Sequence, residues 1–232
     1  MAATNPSPAT RPRAHHDAAA TREALFEAAT ELFAERGFDG TKVEAIARRA
    51  GVNKAMISYH FGGKRGLYAA IVEATIEAFR ERFAAVADES QPAAERLRRF
   101  VEAFGEVATR RPGFPAMMVR EAVSGGRNLD QSVFRRMLQL FSLVRGIVEQ
   151  GVREGSFRPV DPLLTHLSLI GSLVFFFSTM AVRERLLAVI QPLVEAPDPV
   201  SYVQHIQELF VGGLAAPGGD CADAETDSAR RP

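Results

Sequence analysis

A chain of 232 residues that is 47% apolar is long enough for one large or two modest domains with a sizeable core. Its 28 basic residues balance 28 acidic ones, so no global field draws it to nucleic acid or a membrane, and any such partner must be met by a local patch. A lone cysteine, Cys221, excludes a disulfide framework and a cysteine-based zinc cluster and fits a reducing, cytoplasmic setting.

Residues 1–16, MAATNPSPATRPRAHH, lack the apolar run of a signal peptide and read as a disordered, mildly basic arm in which His15 and His16 are solvated. Asp17 is placed to cap a first helix running to about Arg36, with Leu25, Ala28, Ala29, Leu32 and Phe33 as its buried stripe. Gly37 ends that helix. Thr41 to Glu44 has the form of a capping box opening a short second helix, which Gly51 closes in a left-handed conformation. Asn53 is the expected cap of a third helix of barely two turns, and Gly62-Gly63 turn the chain into a fourth, from about Lys64 to Ala87. Two short helices joined through a glycine turn make a helix-turn-helix, so residues 17–63 form the first expected domain. Beyond it, breaks rich in Gly and Pro separate helices near 93–110, 114–124, 130–154, 162–190 (bent) and 199–213. No strand-like alternation occurs, and the fold class is all-α. Residues 64–215 make the second domain, and 216–232 an acidic, disordered tail in which Cys221 is inert.

The stretch GVNKAMISYHFGGKRGLY, residues 51–68, carries the functional signal. A helix so short is marginal alone, so its polar residues were not chosen for helix stability. Between Gly40 and Gly66 stand Lys42, Arg48, Arg49, Lys54, Lys64 and Arg65 against Glu44 alone, a local electrostatic footprint in a neutral chain. Val52 and Ile57 are expected to face the small core, while Lys54, Ala55, Met56, Ser58, Tyr59 and His60 point partly outward, where a major groove would be read. The competing reading is a solvated basic corner of a helical bundle.

Residues 21–68 resemble the DNA-binding domain of the tetracycline-repressor (TetR/AcrR) family of transcriptional regulators. The resemblance rests on Gly37-Phe38, Thr41, Ile46, Ala47, Ala50, Gly51, Val52, Ile57, His60, Phe61, Lys64 and Leu67. The wording ISYHFGGK followed by GLY is similar to the CecR-like branch, and EGSFRPVDPLL to the loop before helix 8 of many relatives. Asn53 departs from the usual Ser or Thr cap, and Ser58 stands where the family often has a phosphate-contacting tyrosine. The resemblance implies that Thr41, Tyr59, His60 and Lys64 contact phosphates. It also implies that Lys54, Ala55 and Met56 meet base edges, joined by Ser58. Ala55 and Met56 could touch only apolar features such as the thymine methyl, which leaves hydrogen-bonded readout mostly to Lys54. It further implies a homodimeric repressor on a double-stranded, near-palindromic operator, released by a small molecule. Because the fourth helix begins at Lys64 in the DNA-facing set and runs into the second domain, such a ligand is expected to tilt it as a lever.

Nothing in the sequence supports an enzyme: H-E-x-x-H, G-x-S-x-G and a Gly-rich phosphate loop are all absent, and no cofactor or metal is expected. The second half is rich in large apolar residues, which ordinarily make core. The resemblance implies a ligand cavity among them, and Phe104, Met118, Phe134, Met137, Phe141, His166 and Phe177 are the candidate walls for a hydrophobic or aromatic effector. Residues 163–182 carry no charge over a length that could span a bilayer. The resemblance instead implies a four-helix dimer interface there, with Leu173, Phe176 and Met180 on one helix and Leu209 and Phe210 on the last. The alternative is a helical ligand-binding or membrane-associated interaction protein whose helix-turn-helix is non-functional.

Overall fold

The computed structural model describes residues 12–190 and 197–217. The expected arm before residue 12, the break at Gln191-Pro192 and most of the expected tail, Cys221 included, lie outside the described residues. Within them run ten α-helices and a single isolated bridge, Phe157 with Ala215, in place of any strand. The chain divides into two compact units between Val72 and Glu73. That border falls later than the turn at Gly63 because Leu67, Tyr68 and Ile71, beyond the turn, are buried with the first unit's core.

The first unit holds α1 (Pro12–Gly40), α2 (Val43–Ala50), α3 (Ala55–Phe61) and the start of α4 (Lys64–Phe83). Helix α1 begins at Pro12, so Asp17 lies inside it rather than capping it; proline loses nothing in a first turn, where its missing N–H has no partner anyway. Gly37, at φ 72°, breaks the helical path and lets Phe38 fold back onto Phe33 and Tyr68, with ring centroids 5.9 and 5.2 Å away. The buried stripe of α1 is the expected one: Leu25, Ala28, Ala29, Leu32 and Phe33. The capping box is not formed. Lys42 occupies the N-cap without a side-chain bond, and the Thr41 hydroxyl turns inward to the carbonyls of Gly37 and Leu32, 2.7 and 3.0 Å away. The hydroxyl of a residue 1% exposed must find its acceptor inside, and the carbonyls near the end of α1 are within its reach, whereas the start of α2 is solvated.

In the second unit α4 ends in a 3-10 turn at Ala84–Val86. It is followed by α5 (Ala93–Arg110), α6 (Gly113–Val123), α7 (Gln131–Glu154), α8 (Pro162–Ser178), α9 (Met180–Ile190) and α10 (Pro199–Leu214). Helix α5 is central, packed by α7, α8 and α10. Its Phe100 stacks on Phe83 at 4.6 Å, and Gly105 lets α10 approach so closely that a Cβ there would meet Val203 at 2.5 Å. A buried polar network ties α5 to α7: Arg96 donates to the Val86 carbonyl at 2.8 Å and to Gln150, whose amide donates in turn to the Gln91 carbonyl at 2.9 Å and to Glu154. Such a buried cation persists because its donors find acceptors.

Asp130, Asp161 and Asp198 cap α7, α8 and α10 through backbone N–H groups two and three residues on, and Pro162 and Pro199 occupy first-turn positions. The charge-free segment is two helices bent by 58° near Thr179. Among the described residues no single helix is long and apolar enough to cross a membrane. The chain's own core also claims two residues expected at a dimer interface. Leu173 is buried, and Phe176 lies flat on Tyr202 at 3.7 Å with the Arg183 guanidinium 3.8 Å from its ring.

Gly151 of α7 faces Phe157, and a Cβ there would stand 2.1 Å from the ring, whereas one on Gly146 of the same helix meets nothing within 4 Å. Gly151→Ala is therefore expected to lower stability by about 1–3 kcal/mol. Gly146→Ala is expected to raise it by about 0.5–1 kcal/mol, both read from urea midpoints at one protein concentration.

Candidate nucleic-acid interface and effector cavity

The turn between α2 and α3 is closed by backbone chemistry. Gly51, at φ 68°, donates to the Arg48 carbonyl and Val52 to that of Ala47, at 3.3 and 3.0 Å, the paired bonds of a Schellman end. Asn53 then caps α3, its Oδ1 accepting the Ala55 N–H at 2.9 Å. Helix α3 buries Ile57 alone. Ala55, Ser58 and Tyr59, with Lys54 just before the helix, stand at i+1, i+4, i+5 and i and share one solvent face, with Tyr59 78% exposed. Met56 and His60 flank that face half-buried, and the His60 ring meets Tyr59 edge-on at 4.9 Å.

Helix α3 ends on two glycines of positive φ, Gly62 and Gly63, and Gly66 packs so tightly that a Cβ on it would lie 1.8 Å from the Phe61 carbonyl oxygen. This approach sets the first turn of α4 against the end of α3. Lys64 leads that turn with its ammonium 4.3 Å from the Phe38 ring centroid, and the Arg65 guanidinium is 5.6 Å from the same ring. Partial burial pulls the Lys64 ammonium below the usual lysine range, so a nearby anion would be welcome. Lys54 reaches Glu44 at 3.4 Å across an exposed pair, a contact easily exchanged for another anion. Thr41 differs from expectation. It is 1% exposed and its hydroxyl is occupied by the α1 carbonyls, which removes its side chain from the exposed set. Arg49 pairs with Glu31 and Glu35 of α1, while Arg65 is an exposed cation that residue-by-residue resemblance passed over.

The second unit holds a half-open cavity of about 700 Å³ walled by α4, α5, α6, α7 and α8. Of the expected wall residues it brings together Phe104, Met118 and Met137. The other four stand elsewhere. Phe177 is buried in the core against Phe104 and Phe176, and Phe134 lies half-exposed over Gly126. Phe141 pairs edge-on with His166 at 5.3 Å, outside the lining. Burial pushes the His166 imidazole pKa down, and its Nδ1 is buried without a hydrogen-bond partner. Helical phase explains the sorting on α7, where Val133, Arg136, Met137, Leu140 and Leu143 stand at i, i+3, i+4, i+7 and i+10 on the cavity side. Phe79, Phe83 and Phe114 also line it. The first two belong to the connecting helix, whose apolar residues carry no mark that separates wall from core. A second crevice, of about 430 Å³, opens between the start of α8 and the end of α10, lined in part by Leu164, Leu209 and Phe210. Among the described residues no cluster of three or more His, Cys, Asp or Glu could hold a metal ion.

Comparison with known proteins agrees with this geometry. Residues 25–71 match the family model described as bacterial regulatory proteins, tetR family, and residues 94–192 match the tetracyclin repressor-like C-terminal domain. The HTH-type transcriptional repressor NicS of Pseudomonas putida is 30% identical over 162 residues, covering 68% of this chain and 76% of NicS. Among solved structures, the TetR family regulator PfmR from Thermus thermophilus superposes with a TM-score of 0.65 at 22% identity, covering 81% of this chain and 97% of that one. AibR in complex with isovaleryl coenzyme A and operator DNA gives a TM-score of 0.64 at 22% identity, with 85% and 99% covered. Two structural units, a helix-turn-helix with an uncommitted outer face and a helical domain with an apolar cavity, thus coincide with two matched family domains, and the chain belongs to the TetR family of DNA-binding transcriptional regulators, which are not enzymes.

Proposed function

We propose that the chain is a homodimeric, cytoplasmic repressor that binds a near-palindromic operator with one α3 per half-site and is released when a hydrophobic small molecule fills the cavity. One observation carries the DNA-binding half: α3 gives only Ile57 to the core and turns Lys54, Ala55, Ser58 and Tyr59 outward in the most cationic stretch of a neutral chain. In this reading Lys54 supplies most hydrogen-bonded base readout, with Ala55, Met56 and Ser58 beside it. Lys64, Tyr59 and His60 contact phosphate, Lys64 from a helix N-terminus that favours anions.

The cavity supports the sensing half. AibR, of similar fold, holds a small molecule and an operator together. Helix α4 is the proposed link, since it supplies Lys64 to the DNA-facing set and Phe79 and Phe83 to the cavity wall. A 100-fold loss of operator affinity requires the ligand to prefer the unbound arrangement by about 2.7 kcal/mol, within the usual range of allosteric coupling.

The dimer surface is relocated from the buried Leu173 and Phe176 to the exposed stripe Leu164, Leu167, Gly171 and Phe175 of α8. Leu209 and Phe210 of α10 adjoin it through the second crevice, and Met180, half-buried at the start of α9, is not needed for it. Repetition at i, i+3, i+7 and i+11 makes this one continuous helix face, which a second copy would cover across a two-fold axis.

Two experiments test these readings. In fluorescence anisotropy with DNA from upstream of its own gene, the protein should bind far more tightly than to random DNA. Equal affinity for both would instead favour a helical interaction protein with a vestigial helix-turn-helix. Lys64→Ala should weaken both kinds of binding and reduce the salt slope by about 1 per contact, or about 2 per dimer, while Lys54→Ala should also alter sequence preference. Phe175→Glu, at a position 69% exposed, should leave the subunit's own fold intact yet yield monomers in sedimentation and weaken operator binding by losing the second half-site. An unchanged dimer would place the interface elsewhere.

A further inference from the structure

The cavity's walls are unequal in polarity, and the inequality has a direction. Among the described residues its only charged lining residues are Glu77 and Arg80 on α4 and Arg136 on α7. Arg80 is 67% exposed and Glu77 42%, which puts this end of the cavity at the solvent mouth. Phe104, Phe114 and Val133, at the other extreme, are almost wholly buried and form an apolar floor. A ligand entering such a cleft loses water from its apolar part and keeps it near its head.

The charges at the mouth do not balance. Arg80 already holds the Glu77 carboxylate in a two-point contact, Nε to Oε2 at 2.9 Å and Nη2 to Oε1. That hydrogen-bonded contact is the main reason the Glu77 carboxyl sits below its ordinary range, and the charges of Arg80 and Arg136 add to it. Among the described residues Arg136 has no carboxylate within ion-pair distance. Two guanidiniums therefore serve one carboxylate, and the second retains a planar pair of donors suited to an oxyanion.

We infer that this cavity takes an anionic amphiphile, an apolar chain that enters first and ends in a single acidic group held at the mouth by Arg136 with Arg80 beside it. A neutral apolar ligand would leave the Arg136 donors to water, and a cationic one would meet the excess positive charge. A chain of about ten carbons fits the available volume. The acidic group is either a carboxylate, which ends the ligand at the mouth, or a phosphate ester, which as a diester can carry a larger body that protrudes through it. The inference rests on the reading of this cavity as the effector site and narrows it to a ligand class.

Calorimetric titration of the full chain with decanoate, decyl phosphate and decanol, all below micelle-forming concentrations, tests it, with operator release followed in parallel by anisotropy. At least one anion should bind about 5-fold more tightly than decanol, the scale expected of a partly exposed ion pair. The stronger anion identifies the head. Arg136→Gln should abolish that preference while leaving decanol affinity unchanged, and Arg136→Lys should retain part of it. Glu77→Gln should increase the preference by freeing Arg80, a gain that a folding defect could not produce. Decanol binding as tightly as both anions, or an undiminished preference in Arg136→Gln, overturns the anionic assignment but leaves the cavity as a candidate effector site. An anion preference without any effect on operator affinity upholds the ligand class and removes the cavity from the switch. Failure of all three probes to bind overturns both.

Discussion

A helix of seven residues cannot hold itself in water, and α3 has one buried side chain, Ile57, with which to be held. What fixes it are its two ends. Gly51 turns the chain so that α2 delivers α3 at a defined angle, and Gly66 lets α4 approach the Phe61 carbonyl at a distance no Cβ would permit. Clamped at both ends by backbone, α3 needs almost none of its side chains for stability. Lys54, Ala55, Ser58 and Tyr59 are left to be chosen for another partner, and six cations against one acid in the same stretch make nucleic acid the natural one.

The second unit meets the opposite requirement. A cavity is a packing defect, and interiors tolerate defects only where surrounding contacts hold the walls apart. Here the stack of Phe83 on Phe100 and the close contact of α5 with α10 at Gly105 give one rigid side. The Arg96–Gln150–Glu154 network fixes α7 to α5 from below. Larger side chains on the cavity side of α7 then face a gap rather than a neighbour. The flat stack of Phe176 on Tyr202 similarly closes the α8–α10 contact, and among the described residues the face of α8 that carries Leu164, Leu167, Gly171 and Phe175 is left exposed.

Much of this was legible in the sequence. The short helices of the first unit, the glycine breaks, a bend somewhere in 162–190 and the cationic patch around α3 all follow from local rules: a 3.6-residue period, a left-handed residue, an uncompensated run of basic side chains. Chemistry confined to one turn of chain can be read along the chain. Thr41 was the local exception, because its hydroxyl answered to Leu32, nine residues away, rather than to the helix it precedes.

The sequence by itself therefore determined an all-helical regulator with a helix-turn-helix and the identity of the residues on its outer face. Tertiary structure alone decided which apolar residues make wall, core or open surface. Phe104 and Phe177 are equally apolar, yet one lines the cavity and the other fills the core; Leu173 and Phe175 lie two residues apart on α8, yet one is buried and the other bare. Apolar transfer from water has no direction, so a phenylalanine or leucine carries no mark of which neighbour will take it. That choice is made only when helices far apart in the chain pack against one another and leave some faces uncovered.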